Sequence, residues 1–323
     1  MTNNVAAAVS MWNLPNYIGE LFQVGQKKTP FLNMMGGLGG QNAMIAKGWE
    51  FPLGLSWQLE DTTQQSITET NAIAQGTPET YVPSQSTNLC QIYKRDVAVS
   101  YVAQSDGNTL SGLAQLGGDN PISNKLDFQI MANLKQMAWD IDWHFLNGAY
   151  NKATTVGTAN QTRGIIPAIV ADTTNLVDAS SGGLSTPLMD ALGKKMADSG
   201  APMDNLCIFV NSFQKQKLTK LYAPAPLMPV QNTIGGVITD TVQIDLLGGI
   251  PVVYAPHMPT SGLLLADMAY VQPVFLEVPG KGVMFYEPKP AVGAANVGML
   301  YGQVGLDYQV ARFHGYVEAL ATS

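Results

Sequence analysis

Charge is what this sequence has least of. Of its 323 residues only 13% are Asp, Glu, Lys or Arg, against roughly 25% in an average soluble domain. Apolar residues stand at an ordinary 46%, which excludes a charge-swollen disordered chain. Gly, Ser, Thr, Asn and Gln make up the deficit. Either an unusual share of the surface is covered by other protein, or the surface is polar and uncharged. Long apolar runs are missing too: the longest, residues 164–171 and 262–266, fall far below the roughly 18 residues that suggest a membrane span. The opening Met1-Thr2-Asn3-Asn4 has neither the basic nor the apolar region of a secretory signal. Cysteine is scarce. Cys90 and Cys207 lie 117 residues apart in apolar, strand-like contexts and read as small buried hydrophobes in a reducing compartment. With a net charge of -7 and a pI of about 4.9, the chain has no global basic field to attract phosphates.

The local signs of chemistry are absent as well. A phosphate cradle needs Gly-x-x-x-x-Gly-Lys-Ser/Thr between a strand and a helix, and neither residues 36–40 nor Gly280-Lys281-Gly282 fits; the latter reads as a hairpin turn. His144, His257 and His314 stand alone in sequence, with no His-x-x-x-His and no paired cysteines to hold a metal. There is no Gly-x-Ser-x-Gly elbow. No cofactor is implied and no enzyme is expected. Lys215, Lys217 and Lys220 on one helix read as a solvated surface, too thin and too poor in aromatics to read nucleic-acid sequence.

What is present is pattern. Residues 1–47 read as an arm: a short helix around Ile18, Leu21 and Phe22, then Lys27-Lys28-Thr29-Pro30 and a glycine-rich patch expected to lie on something else. In residues 49–59, Trp49, Phe51, Leu53, Leu55, Trp57 and Leu59 alternate with polar or small positions, which predicts a long strand buried on one face. Pro52 on the polar face argues for an edge. A second extended run, residues 89–102, completes a long hairpin with a broad polar tip. Leu126, Ile130, Leu134, Met137, Ile141 and Phe145 recur at helical spacing and predict one long helix beginning near Pro121 and ending at Asn147-Gly148. Trp139 and Trp143 flank that stripe, so the helix is expected to touch protein on two sides. Beyond it the expectations are a strand at 163–170, a helix at 187–197, a strand at 206–210, a helix at 212–222, a proline-rich loop at 224–229, strands at 235–245, 250–254, 263–266 and 283–286, and a last strand at 304–310. The class is α+β.

The hairpin is acidic without relief. From Gly48 to Tyr93, 46 residues carry Glu50, Glu60, Asp61, Glu69 and Glu79 and no Lys or Arg. A solvated acidic loop and a projecting arm that docks on a neighbour both fit; a lone hairpin is marginal in water, which favours docking.

The order of elements resembles the Hong Kong 97-type major capsid protein of tailed bacteriophages. Short stretches are similar to one branch of that family: Thr29-Pro30-Phe31, Asn88-Leu89-Cys90-Gln91-Ile92-Tyr93 leading to Val97-Ala98-Val99-Ser100, Thr162-Arg163-Gly164-Ile165, and Gly305-Leu306-Asp307-Tyr308 with His314-Gly315. The resemblance implies an N-arm (1–47), an extended E-loop hairpin (48–96), a peripheral or P domain (97–182) with a spine helix (122–147), an axial or A domain (183–298) and a return to the P domain (299–323). It implies self-assembly into hexamers and pentamers of an icosahedral phage head enclosing double-stranded DNA. It also implies a portal protein, possible separate scaffolding and decoration proteins, weak non-specific contact with packaged DNA and no membrane. The place is the virion, assembled in the host cytoplasm. The family's internal scaffolding extension would precede the arm, and 47 residues leave little room for one. An encapsulin-like protein nanocompartment, or another phage structural protein of the tail or decoration type, is the alternative.

Within the resemblance, the E-loop lies over the adjacent subunit. Intersubunit contact is therefore expected at Trp49, Phe51, Leu53, Trp57, Glu60, Asp61, Glu69 and Glu79, with Lys125, Lys135 and Arg163 as candidate basic partners. Some relatives cross-link an E-loop lysine to an asparagine; residues 48–93 of this hairpin have no lysine, so a non-covalent shell is expected.

Overall fold

In a computed structural model of the chain, residues 125–147 form one continuous helix, Lys125–Asn147, about 35 Å long at 1.5 Å per residue. The description covers residues 28–39, 43–59, 64–74, 76, 80–105, 125–222, 232–234, 237–244, 247–291 and 293–322. The expected arm helix, the helix start at 120–124, the loop at 224–229, and Glu60, Asp61 and Glu79 lie outside those residues.

Helices are numbered α1 (Pro30–Met34), α2 (Glu69–Ile73), α3 (Tyr101–Ser105), α4 (Lys125–Asn147), α5 (Ile165–Asp172), α6 (Thr186–Asp198) and α7 (Ser212–Tyr222). Along α4 the expected stripe divides. Met137, Ile141 and Phe145 are fully buried and Leu126 and Ile130 pack partly against the same core, but Leu134 is exposed. Trp139 lies against the His257 ring, whereas Trp143 is exposed.

This helix and two sheets share the main core. In the first, β13 (Ala295–Asp307) is central. It pairs antiparallel with β4 (Gln91–Ser100) along one edge and with β12 (Met284–Lys289) and β11 (Gln272–Leu276) along the other; β1 (Met44–Ala46) adds in parallel to β11. The second sheet runs β5 (Leu176–Asp178), β14 (Gly315–Glu318), β10 (Leu263–Asp267), β6 (Leu206–Val210), β9 (Gly248–Tyr254), β8 (Val237–Ile244) and β7 (Asn232–Ile234). Strand β6 shows how it divides the interior. Cys207 and Phe209 face α4 and the first sheet; Leu206, Ile208 and Val210 face Met189, Leu192 and Met196 of α6 and Leu218 of α7. Sheet membership is interleaved along the chain: β5 and β14 lie in the second sheet, while β11, β12 and β13 lie in the first with β4.

Four expectations are corrected. The strand that returns the hairpin is Ser84–Leu89, not the run at 89–102, most of which is β4, paired with β13 in the first sheet. Residues 163–170 form no strand: Ile165–Asp172 is a helix ended by Thr173 in the left-handed region, whose N–H bonds the Ile169 carbonyl. A short apolar run cannot be told from a buried helix by period alone, and Ile165, Ile166, Ala168 and Ile169 bury one helical face. The end of the arm does not lie on a separate body. Phe31 and Leu32 are buried in the chain's own core, Phe31 edge-on to Phe209 at 5.1 Å. The strand expected at 304–310 begins at Ala295, nine residues earlier, because two neighbours on opposite edges extend it; it ends at Asp307 and is not the last, since β14 follows it. Gly280-Lys281-Gly282 is a hairpin turn as read, with both glycines at positive φ (78° and 87°). Both cysteines are buried free thiols; burial pushes Cys90 up to about 12.

Candidate assembly surface

The hairpin is a two-stranded sheet, β2 (Glu50–Ser56) against β3 (Ser84–Leu89), with a register shift between Pro52 and Leu55. Its root is fastened by one side chain. Asn88, fully buried, donates from Nδ2 to the carbonyls of Leu306 (2.7 Å) and Arg163 (3.1 Å). Its Oδ1 accepts the Arg163 N–H (2.8 Å) and the Leu89 N–H (2.9 Å). All four hydrogen-bonding positions of the amide are satisfied. Thr162 adds a bond from the Leu306 N–H to its Oγ1, 3.3 Å. Gly305 lets the Phe51 ring approach: a Cβ there would sit 2.7 Å from the ring and 2.8 Å from the Leu89 carbonyl oxygen. Three of the short stretches singled out in the sequence therefore meet at one joint.

The apolar stripe of the hairpin runs off the core at this joint. Phe51 and Leu53 are 6% and 3% exposed and belong to the chain's own core. Trp49, Leu55, Trp57 and Leu59 are exposed, the last three at 62% each. Further out, Ile67, Ile73 and Val82 are more exposed still, and Tyr81 meets Trp57 edge-on. Under the outer half of the hairpin lies a groove of about 1150 Å3. Leu55 and Trp57 form one wall and Ala168, Ala171 and Phe313 the other. Arg312 spans it, donating to Asp172 on α5 and to Gln58 past the end of β2.

The charged residues sort by position. Glu50 is engaged at the root, accepting from Lys152 at 2.6 Å and Thr87 at 2.8 Å; these bonds, Lys152 first, hold its carboxyl below the usual range. Glu69 is exposed in the first turn of α2, which Thr68 caps. Of the candidate cations, Lys125 is largely buried. Arg163 stacks over the Tyr150 ring at 4.6 Å. Lys135 is exposed on α4.

Sequence reading missed two buried polar nodes. Asp142, with no exposed surface, accepts the Leu32 N–H from α1 and faces Nδ1 of His257. Asp267 accepts the N–H groups of Asp204, Asn205 and Ala269, and its own N–H donates to Nδ1 of His314. Nε2 of His314 therefore carries the hydrogen and donates to the Tyr308 carbonyl at 3.0 Å. An aspartate inside a predicted apolar helix is the only signal that could have flagged the first node. His144 packs edge-on to Tyr93 and Trp143, with Nδ1 2.6 Å from the Asp140 carbonyl oxygen. Among the described residues no cluster of His, Cys, Asp and Glu could hold a metal ion, and no helix is long and apolar enough to cross a membrane.

A body with a rooted, projecting hairpin whose apolar flank is uncovered has the form of an assembly subunit. Residues 2–321 match the family model described as SU10 major capsid protein. The chain belongs to the SU10 major capsid protein family. No curated protein matches it. Among solved structures it is similar to one described as the cyanophage A-1(L) capsid asymmetric unit, with a TM-score of 0.64, 11% identity, and 96% of this chain and 98% of that one covered. It is also similar to the holo-SrpI encapsulin complex of Synechococcus elongatus (TM-score 0.60, 10% identity, 100% and 98% covered). A third similar structure is the capsid of a native GTA particle (TM-score 0.56, 13% identity, 99% and 100% covered). At such identities these likenesses show the fold, which is the Hong Kong 97 type. The SU10 family member is thus a phage major capsid protein, a structural shell component and not an enzyme. Its copies associate into the capsid shell, and its place is the virion.

Proposed function

We propose that this capsid protein forms hexamers and pentamers that close an icosahedral head around double-stranded DNA, held together without covalent cross-links. The proposal keeps the division into N-arm, E-loop hairpin, P domain and A domain, with β5 and β14 counted by their pairing with the second sheet. The hairpin of each copy lies over its neighbour, and Trp49, Leu55, Trp57 and Leu59 supply most of the contact energy, because desolvated aromatic anchors dominate interfaces. Phe51 and Leu53 serve instead to root the hairpin. The tip acids Glu60, Asp61, Glu69 and Glu79 act at the rim, where each pair is worth about 0–1 kcal/mol. Of the cations, the proposal carries forward Lys135, which a neighbouring copy can reach.

The observation that carries this reading is the single apolar stripe, buried at Phe51 and Leu53 and bare from Leu55 outward. A hairpin that served its own subunit alone would gain nothing from that exposed half. The net charge of -7 suits a shell that contains DNA without gripping it. A portal, any scaffolding or decoration proteins and assembly in the host cytoplasm belong to the same proposal.

The test is microscopy of particles isolated with the protein, with their contents analysed. Closed shells holding double-stranded DNA, and dissolving to single chains on denaturing gels, are expected. A covalent ladder would overturn the non-covalent shell, and shells holding only protein cargo would favour an encapsulin-like compartment.

A further inference from the structure

The cover on one side of α4 stops part-way along the helix. Met131, Leu134, Ala138 and Asp142 follow at steps of three or four residues and so share that side. At its C-terminal end Asp142 has no exposed surface; α1 sits there and gives it the Leu32 N–H at 2.9 Å. Ala138 is half-buried against the main core. One turn nearer the N-terminus the cover ends, with Leu134 40% exposed and Met131 59%. Two large apolar side chains thus stand bare in line with a seat that the chain's own arm already occupies.

We propose that the arm itself covers them. Residues 14–22 pack Ile18, Leu21 and Phe22 on Leu134 and Met131 of their own subunit, continuing the seat of α1 along the helix. Those arm residues lie outside the described ones, and three observations point to them. The first is place. The description begins at Lys28, four residues before Leu32, so the earlier chain leaves the body beside Asp142, at one end of the strip. The second is reach. Leu134 and Met131 lie eight and eleven residues from Asp142, about 12 and 16 Å along the helix. The ten residues from Phe22 to Leu32 span up to about 33 Å, ample for that distance.

The third is chemistry. Ile18, Leu21 and Phe22 fall on one side of a helix that Pro15 can open. A helix so short is marginal in water unless its apolar side is packed, and Leu134 and Met131 supply an apolar surface for it. The arm's own end sets the precedent, since Phe31 and Leu32 are buried in this chain's core. A second copy's arm would have to find the strip from solution, whereas the tether holds this one beside it at an effective concentration of roughly millimolar. The contact assigns the arm to its own subunit and leaves the hairpin as the strap between copies. It lies within one chain, so unassembled subunits test it whatever becomes of the shell reading.

Two experiments on the full chain decide it. Lys27 and Lys28 are the only basic residues before Lys47, so trypsin frees the arm at one place. The double variant Met131→Gln/Leu134→Gln should speed that cut by about tenfold or more, because opening of the contact sets its rate. Cuts at other lysines should keep their wild-type rates. An arm released equally fast from both proteins overturns the proposal. In the second experiment Leu134→Cys is combined in turn with Ile18→Cys, Leu21→Cys and Phe22→Cys, and each protein is treated with copper–phenanthroline and oxygen. Two thiols lose two electrons and two protons to the oxidant and form one S–S bond. At least one pair should close within a single chain, read as linked tryptic peptides in the monomer band of a non-reducing gel. Wild type is the control, its two cysteines being buried. Bonds formed only between chains would give the strip to a neighbour's arm and reject the proposal, as would three pairs that form no bond.

Discussion

Oδ2 of Asp142 lies 2.8 Å from Nδ1 of His257, while Oδ1 of the same carboxylate accepts the Leu32 N–H at 2.9 Å. One buried side chain on the long helix thus holds both the end of the arm and the loop after β9. Asp142→Ala leaves two buried donors without partners at about 1–3 kcal/mol each, so a loss of about 2–6 kcal/mol is expected. Asp142→Asn keeps one acceptor and should lose about half of that. Denaturant unfolding of unassembled subunits measures both.

Asn88 makes a second prediction. Its Nδ2 donates to two carbonyls; Asn88→Asp sets a carboxylate oxygen against them, whereas Asn88→Ala only leaves them unpaired. Asn88→Asp should therefore be the more damaging, by about 1–2 kcal/mol. Limited proteolysis should cut within the hairpin earlier in both variants than in wild type.

At Gly305 the prediction is steric. A methyl group there overlaps the Phe51 ring, so Gly305→Ala should cost about 1–3 kcal/mol. Phe51→Leu added to it should cost less than the sum of the two single changes, as measured by a double-mutant cycle. Strict additivity would show that the ring and the glycine are not in contact.

His314 titrates far from its ordinary value. Burial, opposed by the Tyr308 carbonyl and Asp267, lowers it from 6.5 to about 4. The unfolded chain therefore binds a proton at higher pH than the folded one. The stability held by neutral His314 is complete above 6.5 and is lost as pH falls toward 4, about 3 kcal/mol in all. Unfolding free energy followed from pH 7 to pH 4 should decline over that window, and replacing His314 by Gln should flatten the decline.

Much of this was legible in the sequence where the pattern was local. The period-two stripe from Trp49 to Leu59 and the helical stripe ending at Phe145 both form the elements they predict. What was not legible is where each stripe leaves the core. Phe51 is buried and Trp57 bare because Asn88 and Gly305, the latter more than 200 residues along the chain, fix the root. Leu134 is exposed although its spacing matches Met137. The run at 164–171 is apolar throughout, so its period carried no information, and Thr173 decided it as a helix end. Asp142 and His257, 115 residues apart, are unremarkable singly and become a node only when the fold joins them.

The central claim is that the bare half of the hairpin serves assembly and not folding. Sedimentation of purified Leu55→Ser/Trp57→Ser protein beside wild type tests it most directly, with the melting temperature of unassembled subunits measured in parallel. The expected result is loss of closed shells with the melting temperature unchanged within about 2 °C, as for other exposed substitutions. Shells formed at wild-type yield and stability by the double variant would contradict the account.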